Sequence, residues 1–529
     1  MERRKFIKST SWLAGGALML NHSVQSENAN PGNKLLIRGE KQLTGIDVFA
    51  PSCVGLNEKF RLGIKMKCQP FFANGMVRWE REEGAIDGPF NKSARGTAFM
   101  DNVMPEWSGS VTISGDDGLQ GSSSFSFLNN RNTPYGKRGI RRLEDFSFNS
   151  PGFKYIRITD IETGIEGISN PIYVEASPNG ERLFWGDLHC HSIFGDGIRT
   201  PEELQTFARD ETFLDFFALT DHTEILSDAQ WAYFKYVSNQ FNEPGKFVSF
   251  NGGEWTSMSR EFGVGKYGHH NFIYPGDDGA ILRSNHPEEN NLEKLFSRVK
   301  EQGGMVIANH PGSAGWGSNW NHRYDNEVVR LVETYNGGSH EMSSGPGRIF
   351  ESRRITKPND GNFVVDGLKK GLKLGMIGTG DTHDGRPGDH LHSHQKTPGY
   401  SEELGPGLTG VWAEDLTRES LFKALFSRRV YATTNNRTWL KFSINDHPMG
   451  AEITTSDKLK IKVIAASNIN LLNIELIKDG EVIKQYQPKD KKVIWEFQEK
   501  GSANPTWYYV RLTLENEHLA CSSPIWING

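Results

Sequence analysis

The chain has 529 residues, of which 24% are charged and 36% hydrophobic, with a formal net charge of -5 and a mean hydropathy of -0.55. This describes a soluble globular protein of about three or four domains at roughly 150 residues each. The acidic balance excludes a dedicated nucleic-acid binder, which needs a basic surface against phosphates, and four Cys are too few for a disulfide scaffold.

Residues 1–30 read as a signal peptide. Arg3-Arg4-x-Phe6-Ile7-Lys8 precedes the short apolar run Trp12 to Leu20, an arrangement that resembles a twin-arginine export signal. No Cys follows that run, so a lipid anchor is not expected, and no later segment is apolar enough to span a membrane. Residues 35–178 alternate short apolar runs with Gly, Asn and Ser turns, the pattern of an N-terminal β-sandwich domain. Cys53 and Cys68 lie close in sequence there and can pair after export.

Beyond a turn-rich linker at 176–180 the pattern changes to strand, loop and helix over residues 181–435. Candidate strands are Leu183–Leu188, Phe216–Thr220, Phe247–Gly252, Asn271–Tyr274, Met305–Ala308, Leu331–Thr334, Leu374–Gly378 and Thr409–Trp412. Helical periodicity falls at Pro201–Arg209, Asn291–Gln302 and Glu419–Arg428. Residues 436–529 return to alternation and read as a C-terminal β-sandwich domain.

The middle segment holds the chemistry. Thirteen of the 16 His lie between His189 and His394, a concentration expected of metal or acid–base sites rather than of packing. The first strand delivers His189 and His191 on one face, about 6–7 Å apart along the strand, with Cys190 on the other face as packing. Other strands lead to Asp221 and His222, to Glu254, to His310, and to Asp381 and His383. In a parallel β/α barrel all C-terminal strand ends meet at one rim, so these side chains are expected to converge.

In order, His189-x-His191, Asp196, Thr220-Asp-His222, Glu254, Gly268-His269, Asn309-His-Pro311 and Gly380-Asp-x-His383 resemble the PHP (polymerase and histidinol phosphatase) superfamily of metallohydrolases, from about Phe184 to Arg437. Gly407 to Glu414 with Arg429 to Thr433 is similar to an uncharacterised exported branch of DUF3604 type, to which carbaryl hydrolase is a distant relative. The resemblance implies a distorted (β/α)7 TIM-like barrel flanked by the two β-sandwich domains, with two or three divalent ions, Zn, Mn or Fe. It implies one ion on His189, His191, Glu254 and Asp381, a second sharing Glu254 with His269 and His310, and a third on Asp196, His222 and His383. Of the adjacent pair it favours His269 as ligand, with His270 a substrate contact or plain surface. Some members carry His where this chain has Asp196, which leaves the third ion's occupancy open.

Glu254 is then the bridging catalytic carboxylate, and Asp221 orients a ligand imidazole or shuttles a proton. Arg386, in a Gly/Pro loop, holds a phosphate or carboxylate of the substrate or is a solvated loop residue. Trp316, Trp320 and Tyr324 line a pocket or fold back as local packing. His390, His392 and His394 read as a loop rather than a second metal comb, and Gly337, Gly338, His340 and Glu341 stand at rim height with nothing to select them. The expected function is an exported, periplasmic or secreted hydrolase of a small phosphorylated or ester substrate, most simply a phosphoesterase acting through a metal-bound hydroxide. A carbamate, amide or ester hydrolase is the alternative, and a metal-stabilised, non-catalytic glycan or cell-surface binding protein a third reading. No nucleic acid and no stable membrane anchor are expected as partners, and the oligomeric state is open.

Overall fold

In the strand Phe60–Phe72 every second side chain from Phe60 to Cys68 is buried in one apolar core, with Leu62, Ile64 and Met66 fully enclosed. This is the period of two that a β-strand imposes. The computed structural model describes residues 42–72, 100–127, 138–176, 180–257, 266–313, 316–337, 339–340, 342, 360–389, 407–455 and 458–529. The expected signal peptide, His390, His392, His394, Gly338 and Glu341 lie outside these residues. No helix among the described residues is long and apolar enough to cross a membrane.

The N-terminal strands form three sheets of five, four and three strands around a core of their own. On the opposite face Gly63 and Lys65 are buried as well. A Cβ at Gly63 would stand 2.7 Å from the ring of Phe213, so only glycine admits that aromatic, and Lys65 on the same face is 1% exposed. Cys53 belongs to the central core and Cys68 to the N-terminal one, and no disulfide joins them, so the expected pairing is not formed.

The central strands are β1 (Arg182–Asp187), β2 (Phe216–Leu219), β3 (Val248–Thr256), β4 (His269–Tyr274), β5 (Met305–Ala308), β6 (Val329–Asn336), β7 (Gly375–Thr379), β8 (Leu408–Ala413) and β9 (Val430–Thr433). The helices are α1 (Pro201–Asp210), α2 (Asp228–Phe241), α3 (Leu292–Glu301), α4 (Val364–Lys369) and α5 (Arg418–Phe426). Helix α1 starts on a capping box of Thr200 and Glu203 with Pro201 at its first position. In α3 the buried residues are Leu292, Leu295, Phe296 and Val299, the single stripe its periodicity gave.

The expected (β/α)7 barrel is not the fold. The structure is predominantly β, with five α-helices among the described residues, and its sheet is mixed. β1, β2 and β3 run parallel, as do β5, β6 and β7, but β4 is antiparallel to both β3 and β5, and β8 is antiparallel to β1 and β9. Parallel neighbours need a crossover of about a dozen residues or more, usually a helix, and only the bare minimum, residues 257–268, lies between Thr256 and His269. The C-terminal strands join the same system, because β9 pairs with Leu519–Ser522. A 20-residue strand, Leu459–Lys478, carries the four neighbours Trp439–Ile444, Glu481–Tyr486, Asp490–Glu499 and Thr506–Leu514. One apolar core takes in Cys53 and runs on from Leu183 to Ile527.

Candidate metal centre

β1 ends at Asp187, and the extended chain beyond it is pinned to the loop after β7 by a bridge between Cys190 and Thr382. Alternation puts the rings of His189 and His191 together, with Nε2 of each 3.1 Å apart, and turns Cys190 into the core. His222 follows β2, and His310 and Asp381 follow β5 and β7. Both of the latter hold positive φ, 25° and 45°, a conformation that non-glycine residues keep only where the surroundings enforce it. The strand-end rule does not cover the other two positions. Glu254 lies inside β3 and His269 opens β4, and because these strands are antiparallel with Glu254 opposite Asn271 and Thr256 opposite His269, both side chains reach the same edge of the sheet.

Eight of the nine residues named as ligands fall into three groups of donors here, and the ninth, His310, lies 3.7 Å from Glu254. The donor atoms of His189, His191 and Asp381 form one group, those of His191, Asp196, His222 and His383 a second, and those of His222, Glu254 and His269 a third, each within 4.8 Å. Donors about 2 Å from a common ion at tetrahedral angles stand about 3.3 Å apart. In the first group the separations are 3.1 Å between the two imidazoles, 3.4 Å from His189 Nε2 to Asp381 Oδ1 and 3.2 Å from His191 Nε2 to the same oxygen. In the second, Asp196 lies 3.1 Å from His383 Nε2, 3.4 Å from His191 Nδ1 and 3.8 Å from His222 Nε2.

Glu254 stands at the centre. Its Oε1 is 3.0 Å from His269 Nδ1, 3.4 Å from His189 Nε2 and 3.7 Å from His310 Nε2, and it accepts a hydrogen bond from Asn309 Nδ2 at 2.8 Å. Its Oε2 is 2.8 Å from His222 Nδ1 and 3.6 Å from His191 Nε2. A neutral imidazole offers one lone pair, so His191 and His222 can each serve one ion. His222 Nδ1 bonds Thr256 Oγ1 at 2.8 Å and His383 Nδ1 bonds the carbonyl of Asp381 at 2.9 Å, which leaves the Nε2 of both for the group around Asp196. Glu254 and His269 then have His310 as their nearest remaining donor.

The residues fit cations. Oε2 of Glu254, Oδ1 of Asp196 and Nδ1 of His191 are buried without hydrogen-bond partners, a costly arrangement unless a positive charge meets them. Burial pushes the Glu254 carboxyl up, but His269, His222 and His189 outweigh it and hold the group well below the usual carboxylate range. Burial likewise lowers His189 and His222, and the carboxylates around them, led by Asp381 for the first and Glu254 for the second, outweigh it and raise both well above an ordinary imidazole. In the metal-free protein these rings therefore carry protons at neutral pH, which cations must displace. Calorimetric titration with Zn2+ at pH 7 in two buffers of different ionisation heat should show proton release and affinity that rises with pH. Proton-neutral binding would contradict this charge assignment.

Sequence reasoning missed Glu333. It lies mid-strand in β6, fully buried, and accepts from His189 Nδ1 at 2.7 Å, Thr379 Oγ1 at 2.8 Å, the His310 backbone N–H at 2.8 Å and Asn336 Nδ2 at 2.7 Å. It thereby turns the Nε2 of His189 toward the site. The available signal was a lone acid directly after the apolar pair Leu331-Val332 in a candidate strand, since such a charge is buried only when partnered. Asp187 was also missed, and it accepts from the backbone N–H groups of His189 and Gly380.

Asp221 touches no ligand ring through its hydrogen bonds. Its Oδ1 accepts the Ser192 N–H at 2.8 Å and so braces the loop that carries His191, while burial pushes its carboxyl up to about 7. Arg386 is a correction. Its side chain is fully buried, its guanidinium pairs with Asp389, bonds Asn102 Oδ1 at 3.1 Å and lies 3.6 Å from Asp101, and its charge is matched by these partners rather than offered to a substrate. His270 turns away from Glu254 to Tyr324 Oη at 3.0 Å and Ser318 Oγ at 3.3 Å. Trp320 and Tyr324 pack inward, whereas Trp316 is 51% exposed with its ring edge-on to His269, centroids 5.7 Å apart.

Residues 389–461 match the family model described as "Protein of unknown function (DUF3604)", a stretch that begins after the last of the nine candidate ligands. The chain is 29% identical over 413 residues to an uncharacterised protein of Chlamydia pneumoniae, covering 74% of this chain and 64% of that protein. It is 28% identical over 517 residues to one of Chlamydia muridarum, covering 93% and 75%. The match thus spans less than two thirds of the first relative's length. Among solved structures, fibronectin(III)-like modules of Clostridium thermocellum CbhA (TM-score 0.14, 11% identity, 16% of this chain and 94% of that one) and a Bacteroides uniformis beta-glucuronidase (TM-score 0.16, 9% identity, 92% and 61%) are too distant to indicate a shared fold. The chain is therefore similar to DUF3604 over residues 389–461 and to uncharacterised proteins of Chlamydia.

Proposed function

We propose that the chain is an exported metal-dependent hydrolase that cleaves phosphoesters, related to the PHP superfamily through its metal site. The observation that carries this reading is the group of His189, His191 and Asp381, whose donors stand 3.1, 3.2 and 3.4 Å apart. With Glu254 Oε1 3.4 Å from His189 Nε2 as a shared fourth donor, an ion that accepts a fifth donor keeps a position there for water or substrate, as catalytic sites require. Divalent ions bound at two or three such groups acidify coordinated water and neutralise charge on a substrate oxygen. N and O donors without thiolate favour Zn, Mn or Fe. The chain's own residues hold the arrangement: Glu254 keeps negative charge between the groups, Glu333 fixes the face of His189, and Asp221 braces the His191 loop.

A second reading, hydrolysis at a carbon centre such as an aryl ester or carbamate, is favoured by two observations. Arg386 is committed to Asp389 and Asp101, and the exposed Trp316 beside His269 offers an aromatic wall. Elemental analysis of protein purified without chelator should find two or three equivalents of transition metal per chain, and less than one overturns the proposal. The loaded protein should cleave p-nitrophenyl phosphate or bis-p-nitrophenyl phosphate faster than an aryl carbamate or ester. The reverse order moves the assignment to carbon, and full metal content without turnover leaves the non-catalytic binding protein.

A further inference from the structure

The loop after β7 carries Asp381 and His383 and then runs on to Arg386 and Asp389, which bury themselves against the N-terminal sheets. Asp389 Oδ2 accepts from Lys65 Nζ at 2.8 Å, both side chains being 1% exposed, and is shared with Arg386. Arg386 reaches Asn102 and Asp101 and lies over the Phe207 ring at 5.1 Å. Asp101 continues to Arg138 at 2.9 Å, and Arg138 to Glu211, at the end of α1, at 2.6 Å. Thr212 Oγ1 donates to the carbonyl of Pro387 at 2.9 Å. Gly385 and Gly388 hold φ of 76° and 71°, and a Cβ on either would strike Arg199 at 2.5 Å or Leu214 at 2.9 Å, so the loop is gripped along its length.

A buried ion network of this kind is a poor device for stability, because desolvation offsets most of the attraction. What it does supply is a fixed geometry. Asp381 needs one, since its positive φ of 45° persists only where neighbours over-determine it. We infer that the N-terminal β unit completes the metal centre, with Lys65 as a positioning residue that locks Asp389 and Arg386 and through them the loop bearing Asp381 and His383. This rests on the reading of the cluster as a metal site. It gives the N-terminal sheets a role in the site rather than one as a separate binding module, and two of the nine ligands depend on it.

The test uses the full chain. Zn2+ affinity is measured by chelator competition for wild type, Lys65→Met, which keeps the volume and removes the charge, and Lys65→Arg, which restores the charge. Lys65→Met should bind Zn2+ about tenfold more weakly, the lower end of losses seen when the groups supporting metal ligands are removed, and Lys65→Arg should recover most of it. Wild-type affinity in a folded Lys65→Met overturns the inference while leaving the metal site standing, and a wild type that takes up no Zn2+ sinks both. Should Lys65→Met fail to fold, coupling can be read on the wild type, because it is reciprocal. Zn2+ should then slow hydrogen exchange at Met66, Val103 and Met104, and unchanged exchange there with Zn2+ bound overturns the inference.

Discussion

Glu254→Gln lowers hydrolysis by at least about a hundredfold and strips metal from the centre, the scale of damage to a ligand set. The carboxylate reaches five imidazoles, with Oε1 near His269, His189 and His310 and Oε2 near His222 and His191. Gln keeps the shape but removes the charge that separates neighbouring cations, so their mutual repulsion is less screened. It also cannot be seated well. With its amide nitrogen at the Oε1 position it points a donor at Asn309 Nδ2, which now donates there at 2.8 Å, and at the Oε2 position it points one at His222 Nδ1. Folding should largely survive, because the apolar partners of β3 are untouched. The check is metal content and turnover on the same preparation. Full metal with wild-type activity would show that Glu254 is not the shared ligand, and the grouping of donors would have to be redrawn.

The ligand set was legible because its chemistry is local. His189 and His191 sit two apart on an extended segment, and His222, His310 and Asp381 each follow a short apolar run that the sequence displays openly. Strand direction was not legible, because alternation reports that a strand exists and which face is buried, not which neighbour it pairs with. That is why the barrel was expected where β4 runs antiparallel. Glu254 and His269 still converge, since the start of an antiparallel strand lies beside the end of its neighbour. Arg386 misled for a related reason. A Gly/Pro loop reads as surface, yet Gly385 and Gly388 fold this one inward onto Lys65, 324 positions from Asp389, and Asp101, 285 positions from Arg386, and no local pattern encodes that meeting. The [i, i+15] spacing of Cys53 and Cys68 misled too, because the two thiols point into different cores.

Glu333→Gln tests the residue that sequence reasoning overlooked, and it separates positioning from packing. Each oxygen of the carboxylate takes two donors: Oε1 takes His189 Nδ1 and Thr379 Oγ1, and Oε2 takes the His310 N–H and Asn336 Nδ2. An amide has only one acceptor oxygen, so either orientation turns an NH2 group toward a pair of donors in a site with no exposure. If the oxygen stays with His189, the His310 N–H loses its partner at a residue already held at φ 25°, and the donors His310, Glu254 and His269 are disturbed. If the amide flips, His189 loses the acceptor that fixes its tautomer and the first group is disturbed. Each buried donor left unpaired costs about 1–3 kcal/mol and either orientation strands two, so the metal-free variant should unfold in urea with a loss of at least about 2 kcal/mol. The metal itself should bind about 10–100-fold more weakly, the range for groups that support a ligand. A variant that loses the stability but keeps wild-type Zn2+ affinity would make Glu333 a structural residue alone. A loss of both ties the acid inside β6 to the imidazole it faces, and through His189 to the ion.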